Sequence, residues 1–142
     1  MTPSRDDRFE GREPRRYEMR FLVTEDDIDG LGHVNNVVYV DWIQRVAGEH
    51  WRAAADPELR ERVAWVVSRH EIDYKRPAYA GEEVTVRTWV GSTTGVRFER
   101  HVEIVDAAER TLVRARTIWS PLDRETGRLM RLDASAHEPF YD

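Results

Sequence analysis

Residues 27–57 read DIDGLGHVNNVVYVDWIQRVAGEHWRAAADP, and the periodicity of this stretch changes partway along it. Up to Asn35 it is turn chemistry, in which acidic side chains bond nearby backbone N–H groups and glycines permit positive φ. From Asn36 the residues Tyr39, Val40, Ile43, Val46, Ala47, His50, Trp51 and Ala54 recur at steps of three and four, the spacing of one helical face. So wide an apolar stripe predicts a buried helix, capped by Asn35 or Asn36 and stopped at Asp56 and Pro57. Gly48 costs that helix about 1 kcal/mol relative to Ala, which predicts close packing against another element.

The flanks switch to a period of two. YEMRFLV (17–23) predicts a first strand, and a short polar helical piece is expected near PELRER. Four further strands follow: 64–75, with room for a bulge, 83–90, 96–105 and 111–122. GSTTG and DAAER are the turns between them, and DRETGRL is a turn leading into a tail. In the fourth strand Val96, Phe98, Arg100, Val102 and Ile104 share a mainly apolar face against Arg97, Glu99, His101 and Glu103. The order is strand, helix, four antiparallel strands, an α+β class. One helix covers one face of such a sheet, so the other is solvated or meets a partner. Trp65, Trp89 and Trp119 are expected to expose apolar surface there and to favour a homodimer or homotetramer.

The 142-residue length suits one domain, expected over 16–142 behind a flexible leader at 1–15. That leader lacks the apolar segment of a secretory signal, and no apolar run approaches the roughly 20 residues of a membrane span. No membrane partner is expected. The net charge of -5 argues against nucleic acid, because a phosphate-binding face usually raises the pI of the domain. Without cysteine there is no disulfide, thiolate zinc site or thiol nucleophile, and a cytoplasmic location is the expectation. Lys75 is the only lysine among 22 basic residues, a bias ascribed to genomic composition.

Three chemistries compete for residues 25–36. Glu25, Asp27, Asp29 and Gly30 match the first positions of a calcium loop, but position 12 is Asn36 where a bidentate Glu is needed. Asp29 and His33 lack a third nearby zinc ligand. No metal is expected. The plain alternative is a solvated turn, with His33 at the helix entry and the Asn pair as cap. The catalytic alternative combines Asp29 as base or nucleophile with a helix N-terminus whose free N–H groups hold an oxyanion.

The run D-x-D-x-x-G-H-V-N-N-x-x-Y, with DYKRPAYAGEEV and TIWSPLDRETGRL downstream, resembles the hotdog-fold acyl-CoA and acyl-ACP thioesterases of the 4-hydroxybenzoyl-CoA thioesterase-like group. The resemblance spans residues 17–130. It implies a long helix wrapped by a five- or six-stranded antiparallel sheet, with sheets of two subunits joined edge to edge. It puts the catalytic aspartate at Asp29, leaves Asp27 as the turn carboxylate, and matches His33 and Asn35 to the H-V-N-N of the acyl-ACP branches, which makes His33 a second catalytic or polarising residue. Where the plant-type pattern has asparagine this chain has Leu31, so the full Asp-Asn-His set is absent and Asp29 carries the chemistry. Amides from His33 to Asn36 would polarise the thioester carbonyl, with Asn35 and Asn36 at the substrate. Tyr39 and Ile43 would line an acyl pocket, and Lys75, Arg76 and Arg97 would meet coenzyme A phosphates. Glu49 is the lesser carboxylate, on the helix as in another branch. No cofactor is implied. The partner is an acyl-CoA or acyl-carrier thioester; a hotdog dehydratase or hydratase and a non-catalytic acyl-thioester binding module are the rival functions.

Overall fold

A computed structural model describes residues 9–142. Strand β1 (Tyr17–Leu22) leads through a 3-10 turn at Glu25–Asp27 to helix α1 (Asn36–Ala54) and the short α2 (Pro57–Arg62). Then come β2 (Val63–Tyr74), β3 (Glu83–Thr94), β4 (Arg97–Val105) and β5 (Thr111–Asp123), and a second 3-10 segment at Ala134–Phe140. All strand pairs are antiparallel, in the order β1-β3-β4-β5-β2, so β1 and β2 are the edges. The α+β class and the strand-helix-strands order follow the expectation. Among the described residues no helix is long and apolar enough to cross a membrane.

Helix α1 forms where the stripe begins, with the Asn35 side chain accepting from the Val37 amide at 3.0 Å. It buries Tyr39, Trp42, Ile43, Val46, Ala47 and His50 against the sheet. Trp42 widens the expected stripe and stacks on Phe21 of β1 at 5.3 Å. The opposing face of the sheet supplies Val84 and Val86 from β3, Val102 and Ile104 from β4, and Val113 and Ala115 from β5. Burying these side chains at roughly 25 cal/mol per Å² is the main drive for wrapping the sheet around the helix.

Four expectations need correcting. Gly48 does not meet another element: a Cβ there would lie 3.4 Å from the Arg52 guanidinium on its own helix. The chain does not turn at Gly91; β3 continues to Thr94 with a shift in register between Val90 and Thr93, and Gly95 (φ +62) makes the turn. Residues 1–8 of the expected leader lie outside the described residues, but in its remainder Phe9 is 3% exposed and stacks on Tyr141 at 4.5 Å. The tail is likewise packed, with Ala136, His137 and Phe140 buried.

The tryptophans are the fourth. The bulge between Val67 and Arg69 inverts the alternation of β2, so Trp65, which would otherwise face away from α1, turns toward it and meets Trp51 at 5.2 Å. Trp119 pairs in register with Phe98 and faces the same way, its indole N–H donating to Thr117 Oγ1 at 2.9 Å. Only Trp89 of the three stays on the outer face, under the Arg16 guanidinium at 4.0 Å. That face is a lattice of ion pairs: Arg87 with Glu18 at 2.5 Å and Glu109 at 2.7 Å, Arg114 with Glu103 at 3.5 Å, and Arg116 with both Glu99 and Glu71. It is not the apolar surface from which self-association was expected.

Candidate active site

The loop before α1 separates its two late aspartates by what each carboxylate holds. Asp27 Oδ2 accepts from the Thr24 amide at 2.9 Å and the Thr24 hydroxyl at 3.3 Å, while the Asp27 carbonyl accepts from the Asn35 amide at 2.9 Å. It therefore ties both ends of the loop together. Asp29 sits in a tight turn: its amide donates to the His33 carbonyl at 3.0 Å, its carbonyl accepts from Gly32 at 3.1 Å, and Gly32 takes the positive φ (+87°) that closes the turn. One carboxylate oxygen, Oδ1, accepts from the Leu31 amide at 2.8 Å. Oδ2 accepts no hydrogen bond among the described residues.

The loop's backbone also sorts its donors. The amides of Val34, Asn35, Val37 and Val38 are taken by the Ala78 carbonyl, the Asp27 carbonyl, the Asn35 side chain and the Asn35 carbonyl. From His33 to Val38 this leaves His33 and Asn36 as the amides with no acceptor among the described residues. The His33 ring is half-buried with Nδ1 3.4 Å from the Val34 carbonyl, and no hydrogen bond joins it to Asp29. Leu31 is 80% exposed and gives that ring nothing to hold. Asn35 is spent on capping, so its side chain contributes here by starting the helix.

The other residues singled out in the sequence divide by depth. Tyr39 is buried with its ring edge-on to Trp42 at 5.5 Å and tilted against Tyr74 at 5.8 Å. Burial raises its hydroxyl pKa, against the lowering effect of the Ala78 backbone. Ile43 is fully buried in the central core and lines none of the described cavities. Lys75 and Arg76 leave the end of β2 with both amides on the Leu112 carbonyl, at 2.7 and 3.1 Å. Their side chains are exposed and make no ion pair among the described residues. Arg97 begins β4, whose other end carries Val105 opposite Thr85, and so stands at the far end of the sheet from Lys75. Glu49 is ion-paired to Arg52. Among the described residues no three His, Asp or Glu side chains gather at a metal-binding spacing.

A cavity of about 290 Å³ opens along the second half of α1, between Gln44, Ala47 and Trp51 on the helix and Trp65, Phe98 and Trp119 on the sheet. Its helix residues, from Gln44 to Arg52, lie roughly 12 to 24 Å along the helix axis from Asn36 at about 1.5 Å per residue. The cavity is therefore remote from the Asp29 turn of the same chain. It holds what sequence reasoning passed over: Arg100, projecting inward from β4. Arg100 Nη1 donates to Thr88 Oγ1 at 3.1 Å and to His50 Nδ1 at 2.9 Å. Burial, then the Arg100 charge, hold the His50 pKa down to about 3, so the ring is neutral and accepts. Burial alone lowers Arg100 to about 10, which leaves it a cation. The signal in the sequence was a lone arginine in the apolar register of the fourth strand.

The sequence matches the family described as the acyl-ACP thioesterase N-terminal domain over residues 14–140. A probable thioesterase from Bartonella henselae is 26% identical over 83% of this chain and 98% of its own, with a TM-score of 0.70. An acyl-ACP thioesterase from Bacteroides thetaiotaomicron is 22% identical, with a TM-score of 0.74; the match covers 83% of this chain and only 49% of that one. A 1,4-dihydroxy-2-naphthoyl-CoA thioesterase from Synechocystis is 18% identical over 89% of this chain and 96% of its own, with a TM-score of 0.74. No curated protein matches. The shared architecture is the hotdog fold that the motif resemblance implied.

Proposed function

The chain belongs to the acyl-ACP thioesterase N-terminal domain family, a family of thioester hydrolases, and on that premise we propose that it is an acyl-CoA thioesterase with Asp29 at the reacting carbonyl. The observation that carries this reading is one uncommitted carboxylate oxygen, Asp29 Oδ2, in the same turn as the two uncommitted amides of His33 and Asn36. The amides accept the carbonyl oxygen as it gains negative charge, with the partial positive charge of the α1 N-terminus behind Asn36. Asp29 activates a water or attacks to form a mixed anhydride, and the thiolate leaves without a strong general acid. His33 polarises the site from the helix entry, and Tyr39 backs it from the core. Lys75 and Arg76 leave β2 next to Ala78, whose carbonyl holds the Val34 amide, which puts two unpaired cations beside the loop for coenzyme A phosphates.

The protein acts as a homodimer joined through β2. This 12-residue edge strand leaves one row of its backbone groups open, and Val66 and Tyr74 along it are 43% and 44% exposed. Antiparallel pairing of two copies of β2 brings the Tyr74 end of one, beside the start of α1, to the Val63 end of the other, beside the cavity. The remote cavity of one chain then neighbours the Asp29 turn of its partner. A protein-bound phosphopantetheine thioester is the second reading, favoured by the family's description.

Thiol release from a panel of acyl-CoAs and acyl-carrier proteins tests both readings. Asp29→Asn should lower kcat/KM by about 10²- to 10⁴-fold with the melting temperature kept. No thiol release by the wild type from any substrate would remove the hydrolase reading, and full activity in Asp29→Asn would remove the residue assignment.

A further inference from the structure

We infer that the cavity beside the second half of α1 binds the carboxylate of an apolar organic acid, with Arg100 as its anion-recognising residue. The walls are aromatic and mutually braced: Trp51 stacks on Phe140 at 5.9 Å, Trp65 meets Trp51 edge-on at 5.2 Å, and Phe98 meets Trp65 edge-on at 5.0 Å. Such walls favour a flat or aliphatic body. Into this apolar space the chain projects a guanidinium whose two protein partners are both neutral, His50 and Thr88, and both are met by Nη1. Its Nε and Nη2 donors have no acceptor among the described residues.

Among the described residues no carboxylate answers that charge. Glu99 is the one acidic residue lining the cavity, and its oxygens are turned to the outer face of the sheet, where they accept from the Ser92 amide at 3.2 Å, from His101 at 3.0 Å and from Arg116. Of the other lining arginines, Arg52 is paired with Glu49 and Arg124 is exposed. Cations in apolar surroundings are ordinarily matched, and a guanidinium left with open donors in an apolar cavity is complementary to an acceptor-rich anion. A carboxylate satisfies this in one step, taking the free edge of the guanidinium as a paired acceptor. The carboxylate belongs either to a free acid or to the far end of an acyl group. Binding itself needs no hydrolysis; assignment to an acyl end rests on the thioesterase reading above.

The experiment separates these. Binding of 2-naphthoate and of the neutral 2-naphthamide to the Asp29→Asn protein is followed by quenching of tryptophan fluorescence. The acid should bind tenfold to a hundredfold more tightly than the amide, and Arg100→Met should abolish that preference. Arg100→Gln, which keeps a polar group for His50 and Thr88, gives the same reading should the methionine variant not fold. Equal binding of acid and amide, no binding of either at millimolar concentration, or an undiminished preference in the folded variant overturns the inference. In a second arm, kcat/KM of the wild type is compared for acyl-CoAs of matched length ending in carboxylate or in methyl. A carboxylate preference that Arg100→Met erases assigns the site to the acyl end, and binding of naphthoate without such a preference assigns it to free acids. Should no thioester be hydrolysed at all, the binding arm still decides.

Discussion

Lowering the pH from 7 to 5 should destabilise the fold by about 2 kcal/mol through His50 alone. The ring is 3% exposed, stacked on Tyr17 at 5.2 Å and edge-on to Phe140 at 4.8 Å, and its Nδ1 accepts a hydrogen bond from Arg100. Burial first and the neighbouring cation second push its pKa from 6.5 to about 3. With the folded value below the unfolded one, the fold favours the neutral ring. The stability is complete above pH 6.5 and is lost as the pH falls toward 3. Inside that window the unfolded chain holds one more proton, and each pH unit costs about 1.4 kcal/mol, or about 2 kcal/mol from pH 7 to 5. Asp106, lowered by hydrogen bonds from Arg110, loses its contribution only below its ordinary value of 3.8, outside this range. Burial also lowers His70, but that is common to wild type and variant. Urea denaturation at pH 7, 6 and 5, at one protein concentration, should show the wild type losing about 2 kcal/mol more than His50→Gln. Parallel pH dependence in the two proteins would refute the reasoning.

Three substitutions test the helix and its contacts. Asn35→Ala removes the acceptor for the Val37 amide and should cost about 1 kcal/mol in thermal or urea unfolding, with Asn35→Asp restoring most of it. Gly48→Ala should stabilise by up to about 1 kcal/mol, because the nearest atoms to the added methyl are the far end of the long Arg52 side chain; a lower melting temperature would count against that account. Ile43→Ala, at a position with no exposure, should destabilise by about 3 kcal/mol, and a cost under about 1 kcal/mol would mean the core collapses around the site.

The local frame of the candidate site could be read before the fold was seen. The turn before Asn36 and the helix stripe follow from residue types at fixed short spacings, and the separation of Asp29 from Asp27 follows from the family resemblance. The structure adds the reason for that separation, since the Asp27 carboxylate is consumed by Thr24 while Asp29 keeps one oxygen open. Ile43 was less legible: periodicity says that a side chain faces inward and does not say whether it meets a cavity or other side chains. Trp65 was assigned to the wrong face because one extra residue in β2 sets the side chains before it out of phase with those after it, and nothing local in VVSRH marks where it falls.

By itself the sequence determined the elements, their order and the helix start, because all of these depend on interactions a few residues long, and the motif resemblance supplied the aspartate to suspect. Tertiary structure alone decided what depends on pairing across the sheet. The register of β4 against β3 and β5 turned Arg100 inward toward His50, fifty residues away in the chain, and left it with neutral partners. The same pairing gathered Glu99, Arg116 and Glu71 on the outer face, so that among the described residues no acid remained for the cavity. Charge balance within a cavity is a property of which strands lie side by side, and hydrophobic periodicity along one strand carries no record of its neighbours.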